Sequence, residues 1–163
     1  MNKITLANYG NATLEQKADL NQAIDALNSV WNSDEFKAQL LGCTYNSVSF
    51  ANTTETAASV WDKLHAADIA VSGINFYRPS WWQRLKGTIS GWIVDGAENP
   101  DGTVSINADA WDNLALADRA AFIAHGSCHV ADYVHDFQPT PARPFSVPYQ
   151  VEAIITKLLS VKS

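Results

Sequence analysis

The sequence predicts an α+β fold built as one domain over residues 1–163, and three observations carry that reading. Two long stretches, one after Thr13 and one from Leu116, repeat apolar and small residues at helical spacing. Between them the period shortens to that of brief strands. The chain is 163 residues long, 47% hydrophobic and 17% charged, so one core can bury roughly two-thirds of its unfolded surface. That composition excludes disorder, collagen-like repeats and coiled coil.

The elements follow in order. The opening fifteen or so residues, with Asn8, Gly10 and Asn11, read as an extended start and a turn. A helix opens at Thr13-Leu14-Glu15-Gln16, which has the order of a capping box, and Leu20, Ile24, Leu27 and Trp31 give it one apolar face. Ser33 caps a second, short helix through Leu41, ending near Gly42. Ser47-Val48-Ser49-Phe50 alternates like a strand, and Asn52-Thr53-Thr54 starts a helix carrying Val60, Trp61 and Leu64. Ile69–Val71 and Ile74–Phe76 read as strands, broken at Pro79 before the aromatic and basic stretch Trp81–Lys86. Thr88–Val94 and Thr103–Ile106 read as two strands around a turn from Gly96 to Gly102. The second strong helix runs from Leu116 to about Asp132. Pro139, Pro141, Pro144 and Pro148 then forbid regular structure, and a helix from about Tyr149 to Leu159 closes the chain.

Eleven basic against seventeen acidic residues leave a formal charge of −6, which argues against nucleic acid or an anionic membrane as the main partner. No apolar run reaches the roughly 18 residues of a membrane span, and no basic-then-apolar leader opens the chain, so the compartment is left open. Cys43 and Cys128 are too few for a disulfide scaffold and fit either two buried thiols or one bridge.

Three of the four histidines fall between positions 125 and 135. His125 and His129 are one helical turn apart, so both imidazoles project from one face and can hold one ion. His135 on a continuous helix would stand about 80° away from the His125 direction. A helix that ends near Asp132 and turns back brings it into place, and Asp tolerates the left-handed conformation such a turn needs. Three neutral imidazoles with an open fourth position form the ligand set of a catalytic zinc site, although imidazoles also take Cu, Ni or Co.

The segment Ala121–Phe137 resembles the active-site helix of the zincins, the zinc-dependent metallopeptidases. It is most similar to the metzincin pattern His-Glu-x-x-His-x-x-Gly-x-x-His. The resemblance implies a single zincin-like domain with a small mixed sheet. It assigns Zn2+ to His125, His129 and His135, with Glu152 and then Asp132 as the alternatives for the third ligand. It implies a polypeptide substrate, paired along an exposed edge strand at Thr103, Val104, Ser105, Ile106 and Asn107. It also implies a general base at position 126, where this chain has Gly126. Glycine can neither accept nor return a proton, and losing a positioned acid/base typically costs about 10²–10⁴-fold in rate. Asp132 stands where the pattern has glycine, and the only methionine is Met1, so the methionine turn of the metzincins is missing.

The sequence therefore reads as a zinc metallopeptidase impaired at Gly126, either a naturally silenced relative or an inactivated variant. Two rivals stand beside it. One is a non-catalytic binding or structural protein, such as a virion component, that engages a protein partner through the same fold. The other is a metal-free domain with incidental histidines. Cys128 reads as a small buried hydrophobe, Tyr133 and Tyr149 as packed rings or donors to an oxyanion, and His65 as a helix-end residue. Phe76-Tyr77-Arg78 with Trp81-Trp82 reads as core packing plus an arginine stack, ahead of a partner-binding cluster.

Overall fold

Thr13 opens the first helix in the computed structural model, which describes residues 2–78, 96–98 and 103–161. Its hydroxyl accepts from the Gln16 amide at 3.1 Å and the Gln16 side chain accepts from the Thr13 amide at 3.1 Å, closing the capping box. Helix α1 (Leu14–Trp31) buries Leu20, Leu27 and Trp31, with Ile24 packed at the margin of the core. Ser33 caps α2 (Asp34–Leu41) by accepting from the Phe36 amide, and Gly42 follows the last helical residue.

Two local expectations shift at this point. Ser47–Phe50 is not a strand: Tyr45 and Val48 close a tight antiparallel bridge, and Ala51 bridges to Ser146 instead. Asn46 and Asn52 take φ of 52° and 65°, a left-handed backbone that turns the chain too sharply for a ladder. Helix α3 (Ala57–Leu64) starts at Thr56 rather than at Asn52-Thr53-Thr54. The Thr56 hydroxyl accepts from the Ser59 amide at 3.2 Å, while Thr53 uses its own hydroxyl to accept from Glu55 in the preceding turn.

The strands make a small mixed sheet in two parts. Strand β1 (Ile4–Leu6) runs parallel to β3 (Ile69–Val71). The larger part contains β2 (Tyr9–Gly10), β4 (Gly73–Tyr77), β5 (Gly96–Glu98) and β6 (Thr103–Asn107), side by side in the order β2-β4-β6-β5. Gly10 lies so close to the Asn75 side chain that a Cβ there would require that side chain to move. Strands β2, β4 and β6 are parallel and β5 is antiparallel, with Ala97 opposite Ser105. The turn expected from Gly96 therefore begins with a strand. Thr103–Asn107 is not an exposed edge, because β4 pairs with one side of it and β5 with the other. Backbone groups beside a reversing chain pair with the returning strand rather than stay open, so β5 is the outermost of the described strands on that side. The expected strand Thr88–Val94 and the stretch Trp81–Lys86 lie outside the described residues.

After β6 come α4 (Ala108–Trp111), capped by Asn107, and α5 (Leu116–Val130). A 3-10 turn at Arg143–Phe145 leads into α6 (Val147–Val161). The last helix is longer than expected at both ends and takes Pro148 into its first turn, where a missing N–H breaks no helical bond. Helix α5 packs most extensively on α6 and next on α1, over a core that fully buries Trp31, Phe36, Leu27 and Trp111.

The expected helix-end role of His65 is only part of its setting. His65 caps the C-terminus of α3 but stacks between Trp61, 3.7 Å between ring centres, and Trp31, 5.2 Å, with each ring nitrogen 2.9 Å from a backbone carbonyl. Phe76 packs edge-on against Trp111 and Arg78 pairs with Asp109 and Asp112, while Trp81 and Trp82 lie outside the described residues. Cys43 and Cys128 are separate thiols, and burial raises Cys43 to about 11.

Candidate metal centre

Helix α5 presents His125 and His129 from adjacent turns of one face, their ring centres 5.0 Å apart. The helix then stops by a specific device. The Tyr133 amide donates to the Cys128 carbonyl and the Asp132 amide to the His129 carbonyl, the two bonds of a Schellman motif. Asp132 occupies the left-handed position of that motif with φ 63°, as the sequence leads one to expect. The reversal brings His135 back over the helix, with its ring centre 5.1 Å from His125 and 5.0 Å from His129.

The three histidines lie close enough to hold one metal ion, each offering a ring nitrogen within 4.8 Å of the others. Their Nδ1 atoms are all engaged elsewhere. His125 Nδ1 lies 2.7 Å from Glu152 Oε2, His129 Nδ1 2.7 Å from the Tyr133 carbonyl, and His135 Nδ1 3.0 Å from the Asp136 carbonyl. Each partner only accepts, so each Nδ1 carries the proton and donates, which places the lone pair on Nε2. His125 Nε2 and His135 Nε2 then face each other at 3.2 Å. Two lone pairs that close repel, and a shared cation relieves the repulsion. Nitrogen ligands about 2.0–2.1 Å from a tetrahedral ion stand about 3.3 Å apart, which the observed spacing fits.

The electrostatics favour the same protonation state. Burial, reinforced by the neighbouring His125, holds His129 down at about 4 against the pull of the Tyr133 carbonyl. Burial also lowers His135, opposed by its bond to the Asp136 carbonyl. Both rings are neutral near pH 7, the form that ligates metal. A His held below its ordinary 6.5 contributes stability that is complete above that value and is lost as pH falls through about 4. The metal-free protein should therefore lose denaturant resistance between about pH 6.5 and 4, with a shallower decline in His129→Gln. Identical profiles for the two chains would contradict this.

The alternatives for the third ligand take other places. Asp132 is exposed and outside the cluster. Glu152, from α6, holds His125 from behind, the outer-partner position that fixes a ligand's tautomer and orientation. Cys128 is fully buried, and burial with the Glu152 carboxylate pushes its thiol well up, so it stays protonated. Tyr133 donates its hydroxyl to Glu55 Oε2 at 3.0 Å, with Lys63 over its ring, so only its backbone carbonyl serves the site. Tyr149 does lie at the site, its ring centre 4.8 Å from His125 and 4.9 Å from His135. Gly126 sits on α5 facing β6, where a Cβ would meet Val104 Cγ2 at 3.6 Å, an ordinary contact.

Sequence reading misses two parts of this arrangement. The backbone carbonyls of Tyr133 and Asp136 leave no trace in residue identity, and Arg143 lies in a proline-rich stretch without periodicity. No helix among the described residues is long and apolar enough to cross a membrane. No protein-family model, curated protein or solved structure is significantly similar to this chain.

Proposed function

We propose that this chain is a zinc-binding relative of the zincin metallopeptidases, with His125, His129 and His135 as its ligands and Gly126 in place of the general base. The observation that carries the reading is the clustering of three histidines, each offering a ring nitrogen to one site, whose Nδ1 atoms all face acceptors behind them. Helix-end imidazoles that were incidental would not each need an acceptor on the far side. Bound zinc would lower the pKa of a coordinated water and polarise a peptide carbonyl.

This chain's own residues supply the remainder. Glu152 and the two carbonyls fix the tautomer and orientation of the imidazoles, burial keeps His129 and His135 neutral, and Tyr149, whose ring lies against His125 and His135, is the candidate donor to a developing oxyanion. The histidine helix follows the sheet strands in the chain, with the inner strand β6 and the short α4, rather than an exposed edge strand, directly before it. We assign the substrate-pairing role implied for Thr103–Asn107 to β5, the outermost of the described strands beside it.

Gly126 favours a second reading, in which the fold serves binding of a protein partner without hydrolysis. The first reading requires the metal, whereas the binding reading needs only the fold. Elemental mass spectrometry of the purified chain, dialysed against zinc and then buffer, should find about one zinc per chain. Uptake of no zinc would remove the metallopeptidase reading.

A further inference from the structure

Among the described residues, the site has one cationic neighbour that pairs with nothing acidic. Arg143, in the 3-10 turn before α6, lays its guanidinium over the Tyr149 ring, with Cζ 5.0 Å from the ring centre. Tyr149 is the ring that touches His125 and His135, so Arg143 stands one aromatic ring away from two of the three imidazoles. Its Nε is buried and has no hydrogen-bond partner, and its terminal nitrogen makes only a 3.4 Å contact with the Phe137 carbonyl. The adjacent carboxylate, Asp136, is taken by other donors: Asn52 Nδ2 at 2.7 Å and the Thr140 hydroxyl. A guanidinium with a buried, unsatisfied donor is costly unless a ligand completes it.

The backbone around it is fixed in advance. The Arg143 amide donates to Thr140, the Ala51 amide donates to the Phe145 carbonyl at 2.8 Å, and Ser146 bridges to Ala51. The turn is thus tied to a second loop, and the fork is held by stacking instead of by a counter-charge.

We propose that Arg143 is a carboxylate-recognition residue of this site, selecting peptides that carry a carboxylate next to the segment lying on the metal. The proposal rests on the metal reading above and names its substrate class. A planar fork matches a carboxylate with two parallel hydrogen bonds, and Tyr149 beneath it fixes the plane in which they form. The carboxylate comes either from the peptide's C-terminus or from an Asp or Glu side chain.

The test is calorimetric and uses all 163 residues, with Gly126 leaving the expected general-base position empty so that turnover should not obscure binding. N-acetyl-trialanine as the free acid, its amide, and an amide with one alanine replaced by aspartate are titrated into the protein with and without zinc. The free acid or the aspartyl amide should bind at least about tenfold more tightly than the plain amide. Whichever of the two binds better identifies the source of the carboxylate. Arg143→Gln should abolish the preference while retaining its zinc, and Arg143→Lys, which keeps the charge without the fork, should retain only part of it. Equal binding of all three peptides, no binding at millimolar concentration, or a preference that survives Arg143→Gln would each overturn the proposal and leave the zinc reading standing. A chain that takes up no zinc yet prefers the acid through Arg143 would do the opposite, overturning the zinc reading and leaving the carboxylate site in place.

Discussion

Gly126→Glu is expected to raise the peptidase rate of the zinc-loaded chain by about 10²–10⁴-fold, the usual contribution of one positioned acid/base group. The substitution should fold. A Cβ at position 126 meets only the Val104 methyl at 3.6 Å, so the helix need not move away from β6. Glycine within an α-helix costs up to about 1 kcal/mol relative to a good helix former, so the glutamate should raise stability slightly rather than lower it. Gly126→Gln fills the same volume without a base and isolates the chemistry from the packing. Cleavage of a quenched fluorescent peptide library should rise for the glutamate variant and not for the glutamine variant. Two folded, metal-loaded variants that are both silent would favour the binding or structural reading, because nothing else about the ligands would then distinguish them from a working site.

How much of this is legible in the chain depends on how far the determining partner lies along it. Thr13 and Ser33 cap their helices through bonds three residues away, so local pattern is enough to find them. Thr56 is harder, because Asn52, Thr53 and Thr54 offer the same chemistry a few residues earlier, and only the packing of α3 selects among them. The His125 and His129 pair is readable from helical spacing alone. His135 is readable through Asp132, whose tolerance of a positive φ allows the reversal. Glu152 is visible as a candidate but not in its role. Whether a carboxylate 27 residues away meets the metal or the far nitrogen of a ligand depends on how α6 lies against α5. The same limit misplaces the sheet edge: Gly96 has the composition of a turn, yet pairing to Ile106 draws it into β5. Backbone pairing is decided by where the chain returns, and residue type records that only weakly.

His129→Ala should abolish zinc uptake and with it the stability the metal confers. A ligand that binds only the folded state stabilises it by mass action, about 4 kcal/mol at a thousandfold excess over Kd. For a chain of this size that is roughly 10 °C in Tm. The parent should therefore melt roughly 10 °C lower in EDTA than in zinc, and His129→Ala should melt at the same temperature in both. Glu152→Gln should fall between them. Its amide oxygen can still accept from His125 Nδ1, but without the charge that raises the ligand's basicity, and loss of such an outer partner typically weakens metal binding about 10–100-fold. The graded order parent, Glu152→Gln, His129→Ala is what separates a metal site from a merely packed histidine cluster. In a packed cluster, both substitutions would alter stability equally with and without zinc, because they would disturb only contacts the protein makes with itself. In a metal site, the effect of each should vanish in chelator except for its packing share. Parent protein that melts identically in zinc and in EDTA would place the three imidazoles in the first class and withdraw the metal from this fold.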